Sequence, residues 1–397
     1  MSPHLDNGRI AAPASGTLPA PTADEQTHSD KLREHIRAEI GASGGAISFA
    51  RFMQLALYAP GLGYYVAGQH KFGGGGDFVT APELGSLFAR CLARQCRQIL
   101  VALAGGDMLE TGAGSGILAA DLLVELESLG SLPEHYFILE LSVELRARQA
   151  ETLRQKASHL LARVHWLDAL PPQFRGIVLA NELLDAMPVE RFKVTENGIN
   201  QLHVAWDDDR FTWQEQPADL PIRTRVEPLS LAPDYTSEVN LHAEAWVRST
   251  SDILRQGVLL LIDYGFPRAE FYHPQRTHGT LMCHYRHRAH PNPLLLVGLQ
   301  DISAHVDFTA MAEAGTASGL ALLGYTSQAA FLIGGGLEQL LAMSAPENTR
   351  AHLELTQQIK KLTLPHEMGE LFKVMALGRG MSEPLPGFSV QDRRGRL

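Results

Sequence analysis

A short apolar run ends in an acidic residue and then turns on three alternating glycines. Residues 107–116 read Asp-Met-Leu-Glu-Thr-Gly-Ala-Gly-Ser-Gly. The three glycines are Gly112, Gly114 and Gly116. Because glycine carries no Cβ, a ligand can press against the backbone of such a loop. A dinucleotide-binding loop has another glycine where Ile117 stands here. The spacing therefore favours the amino-acid end of a nucleoside ligand, whose ammonium a carboxylate near Glu110 can attract.

A second acidic residue, Glu140, closes the next apolar run of the chain. Its two carboxylate oxygens can accept hydrogen bonds from both hydroxyls of a ribose, and an ionised acceptor strengthens such bonds. A glutamate in this position could equally be an ordinary surface residue. Because a glycine loop followed by a strand-end acid is more specific than either feature alone, the two together predict a nucleoside site.

Polar side chains follow two further predicted strands. Asn181, Glu182 and Asp185 come directly after the fourth strand, and Asp263 ends the fifth. Ligands of parallel α/β sheets bind beyond the carboxyl ends of the strands, so we expect these residues to face a substrate. Carboxylates there suit a cationic acceptor, since a carboxylate can hold a guanidinium through two hydrogen bonds. Two other interpretations stay open: Asn181 caps a short helix, and Tyr264 is an aromatic plug.

Asp301, His305 and Asp307 fall in a D-x-x-x-H-x-D run. The spacing matches no closed metal site, so we expect these residues to cap the helix that begins near Asp307 and to order the loop before it. Three histidines between 284 and 290 lie among arginines, whose charge opposes metal capture. No metal is expected.

Strand-sized apolar runs alternate with helical patterns from residue 107 onward, which favours a parallel sheet. The predicted strands lie at 108–111, 136–140, 164–167, 176–180, 258–264, 320–325 and 372–377. Asn197 and Gly198 mark a hairpin in an inserted antiparallel ribbon at 190–216. An amphipathic helix is predicted over 237–256, and the His-, Pro- and Arg-rich stretch 266–305 is interpreted as a functional loop or lid.

These patterns divide the chain into three parts. Residues 1–29, rich in Ala, Pro, Thr and Ser, are expected to form a disordered tail. Residues 30–104 form a helical segment with a cofactor-covering loop, whose four glycines at 73–76 are either a hinge or a flexible surface loop. Residues 105–397 form the sheet domain. Its insertions are expected near 189–236 and 266–306.

Composition excludes several function classes. The formal net charge of -10 disfavours non-specific nucleic-acid binding. The three cysteines form no CxxC pair and suit a reducing compartment. No apolar run is long enough to span a bilayer, and no block of signal-peptide type is present. We therefore expect a cytoplasmic protein that has neither a nucleic-acid nor a membrane partner.

The glycine loop is similar to motif I of class I S-adenosylmethionine (SAM)-dependent methyltransferases, and further segments resemble one group of them, the MidA-like family. This family includes a mitochondrial protein arginine methyltransferase that assists assembly of respiratory complex I. The resembling segments lie at 48–49, 56–65, 76–83, 110–116, 140–142, 181–189, 262–265, 279–281, 298–308 and 368–374.

The resemblance implies a Rossmann-like α/β fold with a mostly parallel, seven-stranded sheet, an added N-terminal segment and an inserted subdomain. It implies SAM as the cofactor and an arginine-bearing protein, such as a subunit of respiratory complex I, as the substrate. If the source is eukaryotic, it implies the mitochondrial matrix. It places Asn181 and Glu182 near the transferred methyl group. The residues implied to contact SAM are Glu110, Gly112, Gly114, Gly116, Glu140, Leu141 and Ser142.

Three functions stay open on the sequence alone. The first is a protein arginine methyltransferase, in which Glu182 holds the guanidinium with help from Asp185 or Asp263. The second is a small-molecule methyltransferase, and the third is a non-catalytic assembly factor that binds SAM only structurally. A large pocket rimmed by acids favours the first function, whereas a closed apolar pocket favours the second. A homodimer is expected through an edge strand of the 190–216 ribbon.

Overall fold

The structure is a computed structural model that describes residues 18–67, 80–343 and 349–397. Its strands are β1 Ala46–Ser48, β2 Asp107–Thr111, β3 Tyr136–Leu139, β4 Val164–Leu167, β5 Phe174–Asn181, β6 Glu190–Thr195, β7 Gly198–Asp207, β8 Arg210–Pro217, β9 Thr236–Val239, β10 Leu254–Phe266, β11 Met282–Tyr285, β12 Arg288–His290, β13 Asp301–Ser303, β14 Val306–Asp307, β15 Ala321–Ser327 and β16 Phe372–Arg379. Its helices are α1 Ala23–Ala42, α2 Phe49–Tyr58, α3 Leu87–Ala102, α4 Ile117–Ser128, α5 Val143–Ala157, α6 Leu220–Val226, α7 Leu241–Ile253, α8 Arg268–Phe271, α9 Phe308–Ala317, α10 Gln328–Gly334, α11 Leu337–Ala342, α12 Thr349–Thr363 and α13 Met368–Leu371.

A central sheet organises the molecule, with strand order β15-β16-β10-β5-β2-β3-β4. The pairs from β10 to β4 are all parallel, and β16 runs antiparallel to both of its neighbours. The short strand β14 adds a parallel pairing at the end of β10. The predicted α/β fold with a mostly parallel sheet is therefore confirmed.

Both faces of this sheet are covered, which explains why its middle strands are apolar without interruption. Along β10, Leu260 and Ile262 belong to one core cluster, whereas Leu259 and Leu261 belong to another. Helices α3 and α4 contribute to the first cluster, and α7 and α9 contribute to the second. The period of two along a strand sends successive side chains to opposite layers.

A second lobe joins parts of the chain that are distant in sequence. Strands β6, β7, β8 and β9 form an antiparallel sheet, and β1 from the N-terminal segment pairs with β7. A separate core cluster unites Ile36 of α1, Phe52 of α2, Val204 of β7 and Ile302 of β13. We therefore propose that the N-terminal segment and both insertions form one structural unit, while α3 belongs to the sheet domain.

Two predicted elements differ from the structure. The helix predicted over 237–256 is shorter, because residues 236–239 form β9, which pairs with β6 and closes the inserted sheet. The stretch interpreted as a loop at 266–305 contains a three-stranded antiparallel sheet, β12-β11-β13. In both cases the strands have only three or four residues, too few to show a period of two clearly.

The N-terminal boundary also moves. Helix α1 begins at Ala23, where Thr22 and Glu25 form a capping box, so ordered structure starts before the predicted residue 30. The rest of the predicted tail, residues 1–17, and the four glycines at 73–76 lie outside the described residues. Among the residues that are described, no helix has the length and apolar character needed to cross a membrane.

Candidate functional site

The glycine loop lies at the carboxyl end of β2, where the chain turns into α4. Gly112, Gly114 and Gly116 have φ values of 75°, 51° and 81°, in the left-handed region that glycine adopts without strain. A Cβ on Gly112 would lie 3.0 Å from Leu183 Cδ1, and a Cβ on Gly116 would lie 2.9 Å from Gln149 Cα. The backbone conformation thus favours glycine at all three positions, and close packing also requires it at Gly112 and Gly116.

Glu140 follows β3, and hydrogen bonds from Gln149, a residue not predicted from the sequence, link it to the glycine loop. Its Oε1 accepts a hydrogen bond of 2.8 Å from the Ser142 N–H, and its Oε2 accepts one of 3.2 Å from Gln149 Nε2. The same Gln149 nitrogen donates to the carbonyl of Gly114 at 3.2 Å. Trp166 Nε1 donates to Gln149 Oε1 at 2.9 Å. Gln149 is fully buried, and its hydrogen bonds hold Glu140 and the glycine loop in a fixed position relative to each other.

Apolar surface is left uncovered beside Glu140. Leu141 is 75% exposed and Val143 is 80% exposed, although both side chains are apolar. Ser142 lies between them, and its hydroxyl accepts a hydrogen bond from the Leu145 N–H and caps α5. A carboxylate next to an open apolar surface matches a nucleoside, which has a ribose beside a flat apolar base.

Glu110 lies deeper than the sequence analysis expected. It is 2% exposed, and its Oε2 accepts a hydrogen bond of 2.7 Å from the Tyr136 hydroxyl. Burial raises the pKa of Glu110 to about 7, while the bond from Tyr136 acts in the opposite direction. Its carboxyl group thus sits under the glycine loop with a protein partner.

Glu182 has a backbone conformation that directs its side chain beyond the end of β5. Its φ is 50°, a left-handed value that is unusual for a residue with a Cβ. The Ala81 N–H and Asn181 Nδ2 each donate to Glu182 Oε1 at 3.3 Å. Within the described part of the chain, the buried Oδ1 of Asn181 has no hydrogen-bond partner. An acceptor without a partner at this edge indicates a place for a ligand that donates a hydrogen bond.

Asp263 organises the loop that carries these residues. It is 1% exposed, and its Oδ2 accepts hydrogen bonds from the N–H groups of Leu183, Leu184 and Asp185 at 3.2, 2.8 and 3.3 Å. Its Oδ1 accepts one from the Tyr264 N–H at 2.8 Å. Both oxygens are thus engaged with backbone N–H groups, which favours a positioning role over the catalytic role predicted from the sequence.

Two tyrosines and a further aspartate complete the site. Tyr58 and Tyr65 stack with ring centroids 5.5 Å apart, and we call them the tyrosine pair. The Tyr65 hydroxyl donates to Asp301 Oδ1 at 2.7 Å, and the Tyr58 hydroxyl donates to the carbonyl of Ala186 at 3.0 Å. Asp301 thus lies in β13 beside the site and does not cap a helix as predicted, whereas Asp307 does cap α9.

Carboxyl groups concentrate at this edge, and we call Glu182, Asp185, Asp263 and Asp301 the acid cluster. Burial raises the pKa of Glu182 to about 8, and the charge of Asp185 acts in the same direction. Burial, followed by the charges of Asp263 and Asp301, raises the pKa of Asp185 well above its ordinary value. Burial raises the pKa of Asp263 to about 7. A positive ligand would relieve these costs, so the cluster favours a cation.

These raised pKa values predict a stability that falls with pH. Glu182 ionises near 4.5 when unfolded but near 8 when folded, so its contribution to stability is complete below pH 4.5 and is lost as the pH rises towards 8. Glu182→Gln keeps the hydrogen-bond acceptor without the charge. We expect this variant to be more stable than the parent by roughly 1–3 kcal/mol at pH 8.5 and equally stable at pH 4.5.

Urea unfolding of the cofactor-free protein across this pH range measures the effect. The exposed Glu227→Gln is the control and should follow the parent at every pH. Equal stability of Glu182→Gln and parent at pH 8.5 would contradict the raised pKa.

One group of side chains that could bind a metal ion lies away from the glycine loop and the acid cluster. Among the described residues, the ligand atoms of Asp107, Glu134 and His135 come within 4.8 Å of one another. They lie at the amino end of β2, opposite the glycine loop, and His135 Nδ1 is already 3.0 Å from Asp107 Oδ1. We assign no metal to the site described above.

Comparisons with known proteins agree with this arrangement. The model of a family described as S-adenosyl-L-methionine-dependent methyltransferases matches residues 91–326. The Danio rerio protein arginine methyltransferase NDUFAF7, mitochondrial, is 30% identical over 382 residues, which cover 87% of this chain and 86% of that protein. The Drosophila melanogaster homolog, also named mitochondrial, is 27% identical over 413 residues. The match covers 94% of this chain and 91% of that protein. These names do not support the expected cytoplasmic location.

A solved structure matches the whole fold. The Burkholderia thailandensis protein crystallised with S-adenosyl-homocysteine is 47% identical to this chain and superposes on it with a TM-score of 0.93. The match covers 96% of this chain and 100% of that one. A native crystal structure from the same organism is 46% identical, with a TM-score of 0.91. The resemblance found in the sequence is confirmed, and this chain belongs to the family of SAM-dependent methyltransferases, enzymes whose cofactor is SAM.

Proposed function

We propose that this methyltransferase acts on an arginine side chain of a protein substrate. The observation that carries the proposal is the acid cluster beside the tyrosine pair. Carboxylates can pair with a guanidinium, and the faces of tyrosine rings attract it through the cation–π interaction. The names of the curated relatives, which are protein arginine methyltransferases, support the same acceptor.

The residues around the glycine loop fit SAM. The loop leaves room for the amino-acid end of the cofactor because its glycines carry no Cβ, and Glu140 offers carboxylate oxygens to a ribose. The exposed Leu141 and Val143 offer apolar surface to the base. Ser142 acts indirectly, since its N–H orients Glu140. We propose that Glu110 supports the loop from below through its bond to Tyr136.

When bound, SAM supplies an electrophilic methyl group on a sulfonium, and the protein aligns the acceptor with it. We propose that Glu182 pairs with one nitrogen of the guanidinium and localises positive charge there, which leaves another nitrogen free to attack. The unpartnered Asn181 Oδ1 accepts a hydrogen bond from that second nitrogen. Asp185 and Asp301 add negative charge to the pocket. As the methyl group is transferred, the methylated nitrogen loses its proton to the second carboxylate oxygen of Glu182, while the first oxygen stays paired with the other nitrogen.

The choice of a protein substrate rests on the resemblance to the MidA-like family. We propose a subunit of respiratory complex I or a similar protein, and the mitochondrial matrix as the location if the source is eukaryotic, in agreement with the mitochondrial names of the relatives. Strand β8 pairs only with β7 among the described strands, and its open edge is where we propose a homodimer. Light scattering at several concentrations would test the dimer.

Transfer of a tritiated methyl group from SAM tests the acceptor. The protein is incubated with labelled SAM and a lysate of its source that lacks the enzyme, and the products are separated by size and hydrolysed to amino acids. Label in methylarginine of a protein band supports the proposal. Label in a small product or in another amino acid contradicts it, as does the absence of label when SAM binding is demonstrated by calorimetry.

Gln149 is expected to set the affinity for SAM without affecting the chemical step. Gln149→Leu removes the bonds that tie Glu140 to the Gly114 carbonyl, and loss of one bond to a charged group corresponds to about tenfold weaker binding. We expect the KM for SAM to rise by this factor while kcat changes little. Gln155→Leu on the exposed face of the same helix is the control. Equal SAM affinity in both variants would refute the role of Gln149.

A further inference from the structure

A cavity that plays no part in the proposed methyl transfer lies where the ends of β10, β15 and β16 meet. It has a volume of about 220 Å³ and is lined by residues from the end of β10, the end of β15, the start of β16 and the C-terminal segment. Lys373 and Tyr325 line it, and Arg393 and Arg396 approach it from the C-terminal segment. Lys373 pairs through its backbone with Asp263 of the acid cluster.

Lys373 is a buried cation without a carboxylate partner among the described residues. It is 5% exposed, and its Nζ donates to the backbone carbonyls of Glu370 and Leu371. Burial lowers the pKa of Lys373 to about 8, so the ammonium is mostly charged at pH 7. An ammonium has three N–H donors. The two carbonyls accept from two of them, and the ring of Phe266, another residue of the cavity wall, lies with its centroid 5.6 Å from Nζ.

Tyr325 contributes a second unused donor. Its side chain is fully buried against Phe308, with ring centroids 5.4 Å apart, and within the described residues its hydroxyl has no hydrogen-bond partner. Nine in ten buried polar groups or more have a partner, so an unpartnered hydroxyl on a residue that lines a cavity favours a ligand there.

The rim of the cavity is held in place by ion pairs. Arg393 binds Glu370 through two hydrogen bonds of 2.7 and 2.9 Å, and Arg396 pairs with Glu270 at 2.7 Å. These four residues and Lys373 comprise three positively charged and two negatively charged side chains, so the net charge around the cavity is positive. The rim charges cancel in pairs, and the excess positive charge belongs to Lys373 at the base.

We propose that this cavity binds a small free oxyanion, a carboxylate or a phosphate, through Lys373 Nζ and the Tyr325 hydroxyl. Both groups on the floor are donors, and an oxyanion supplies acceptors together with the opposite charge. A water molecule could satisfy the tyrosine, whereas an anion would also offset the net positive charge around the cavity. The proposed site is separate from that of the methyl acceptor, since no residue of the acid cluster lines the cavity.

Thermal unfolding of the full-length protein at pH 7 tests the site. Inorganic phosphate and malonate are each titrated at constant ionic strength against sodium chloride. We expect the melting temperature of the parent to rise with the concentration of at least one of them and to reach saturation. Calorimetric titration with the same anion gives its affinity.

Two variants connect the effect to the cavity. Tyr325→Phe removes one oxygen and keeps the ring packing, so it is expected to fold and to bind the anion about tenfold more weakly. Lys373→Met is expected to abolish the effect. The control Lys361→Met removes an exposed lysine that pairs with Glu367, and should behave as the parent. An equal anion effect in the parent and Tyr325→Phe overturns the proposal, as does a parent whose melting temperature follows sodium chloride alone.

Discussion

Glu182→Gln is expected to lower turnover by about 10²- to 10⁴-fold while SAM binds as tightly as before. Glutamine keeps the oxygen that accepts hydrogen bonds from the Ala81 N–H and Asn181 Nδ2, so the local structure should be retained. It loses the negative charge that pairs with the guanidinium and the ability to take the departing proton. The loss should therefore appear in kcat with an arginine-bearing substrate.

Single-turnover transfer of labelled methyl measures this loss, and calorimetry measures SAM affinity on the same preparation. The matched control is Glu227→Gln, which removes an exposed carboxylate that belongs neither to the acid cluster nor to the glycine loop. The control should retain most of its turnover. If Glu182→Gln methylates at the parental rate, the assignment of Glu182 is wrong.

The backbone at Glu182 gives an independent reason to expect a functional role. A residue with a Cβ at φ 50° costs of the order of 1–3 kcal/mol, and such strain is concentrated at functional sites. Hydrogen bonds on both sides keep the backbone in this conformation. The Glu182 N–H donates to the carbonyl of Ile262 at 2.9 Å, and N–H groups of the following loop donate to Asp263. The fold thus maintains an unfavourable conformation that directs one carboxyl group towards the site.

Local sequence patterns were sufficient to predict the central sheet and the main acids. Each of these patterns is local: the glycines follow β2, the acid follows β3 and the polar run follows β5, in each case within a few residues of the strand. Because the strands are parallel, their carboxyl ends lie at one edge of the sheet and bring these residues together. Gly112, Gly114 and Gly116 all have a positive φ, which glycine adopts without strain. These features depend on short-range geometry, which a single sequence records directly.

The remainder of the site depends on contacts between distant parts of the chain. Tyr65 lies in the N-terminal segment and Asp301 in the second insertion, and only the fold brings the two within 2.7 Å. Gln149 is one polar residue among many on α5, and nothing local distinguishes it from the exposed Gln155. Strand β1 was missed because it has three residues and pairs with β7, which lies far along the sequence.

Gly114→Val is expected to abolish SAM binding, with an affinity loss of more than about 100-fold, equivalent to about 3 kcal/mol. Gly114 has a φ of 51°, and valine is strongly disfavoured there because its branched Cβ meets the neighbouring backbone. Its carbonyl accepts the bond from Gln149, so a shift of the loop also releases Glu140. Both halves of the cofactor site should therefore be lost together.

The control for this variant separates backbone strain from ligand contact. Gly130 has a φ of 66° in the turn after α4, and a Cβ there would meet nothing within 4 Å. Gly130→Val therefore imposes a similar backbone cost, of the order of 1–2 kcal/mol, far from the glycine loop. We expect it to lower the free energy of unfolding but to bind SAM as the parent does in calorimetry. Unchanged affinity in Gly114→Val, or an equal loss in both variants, would mean that the cofactor does not lie against this loop.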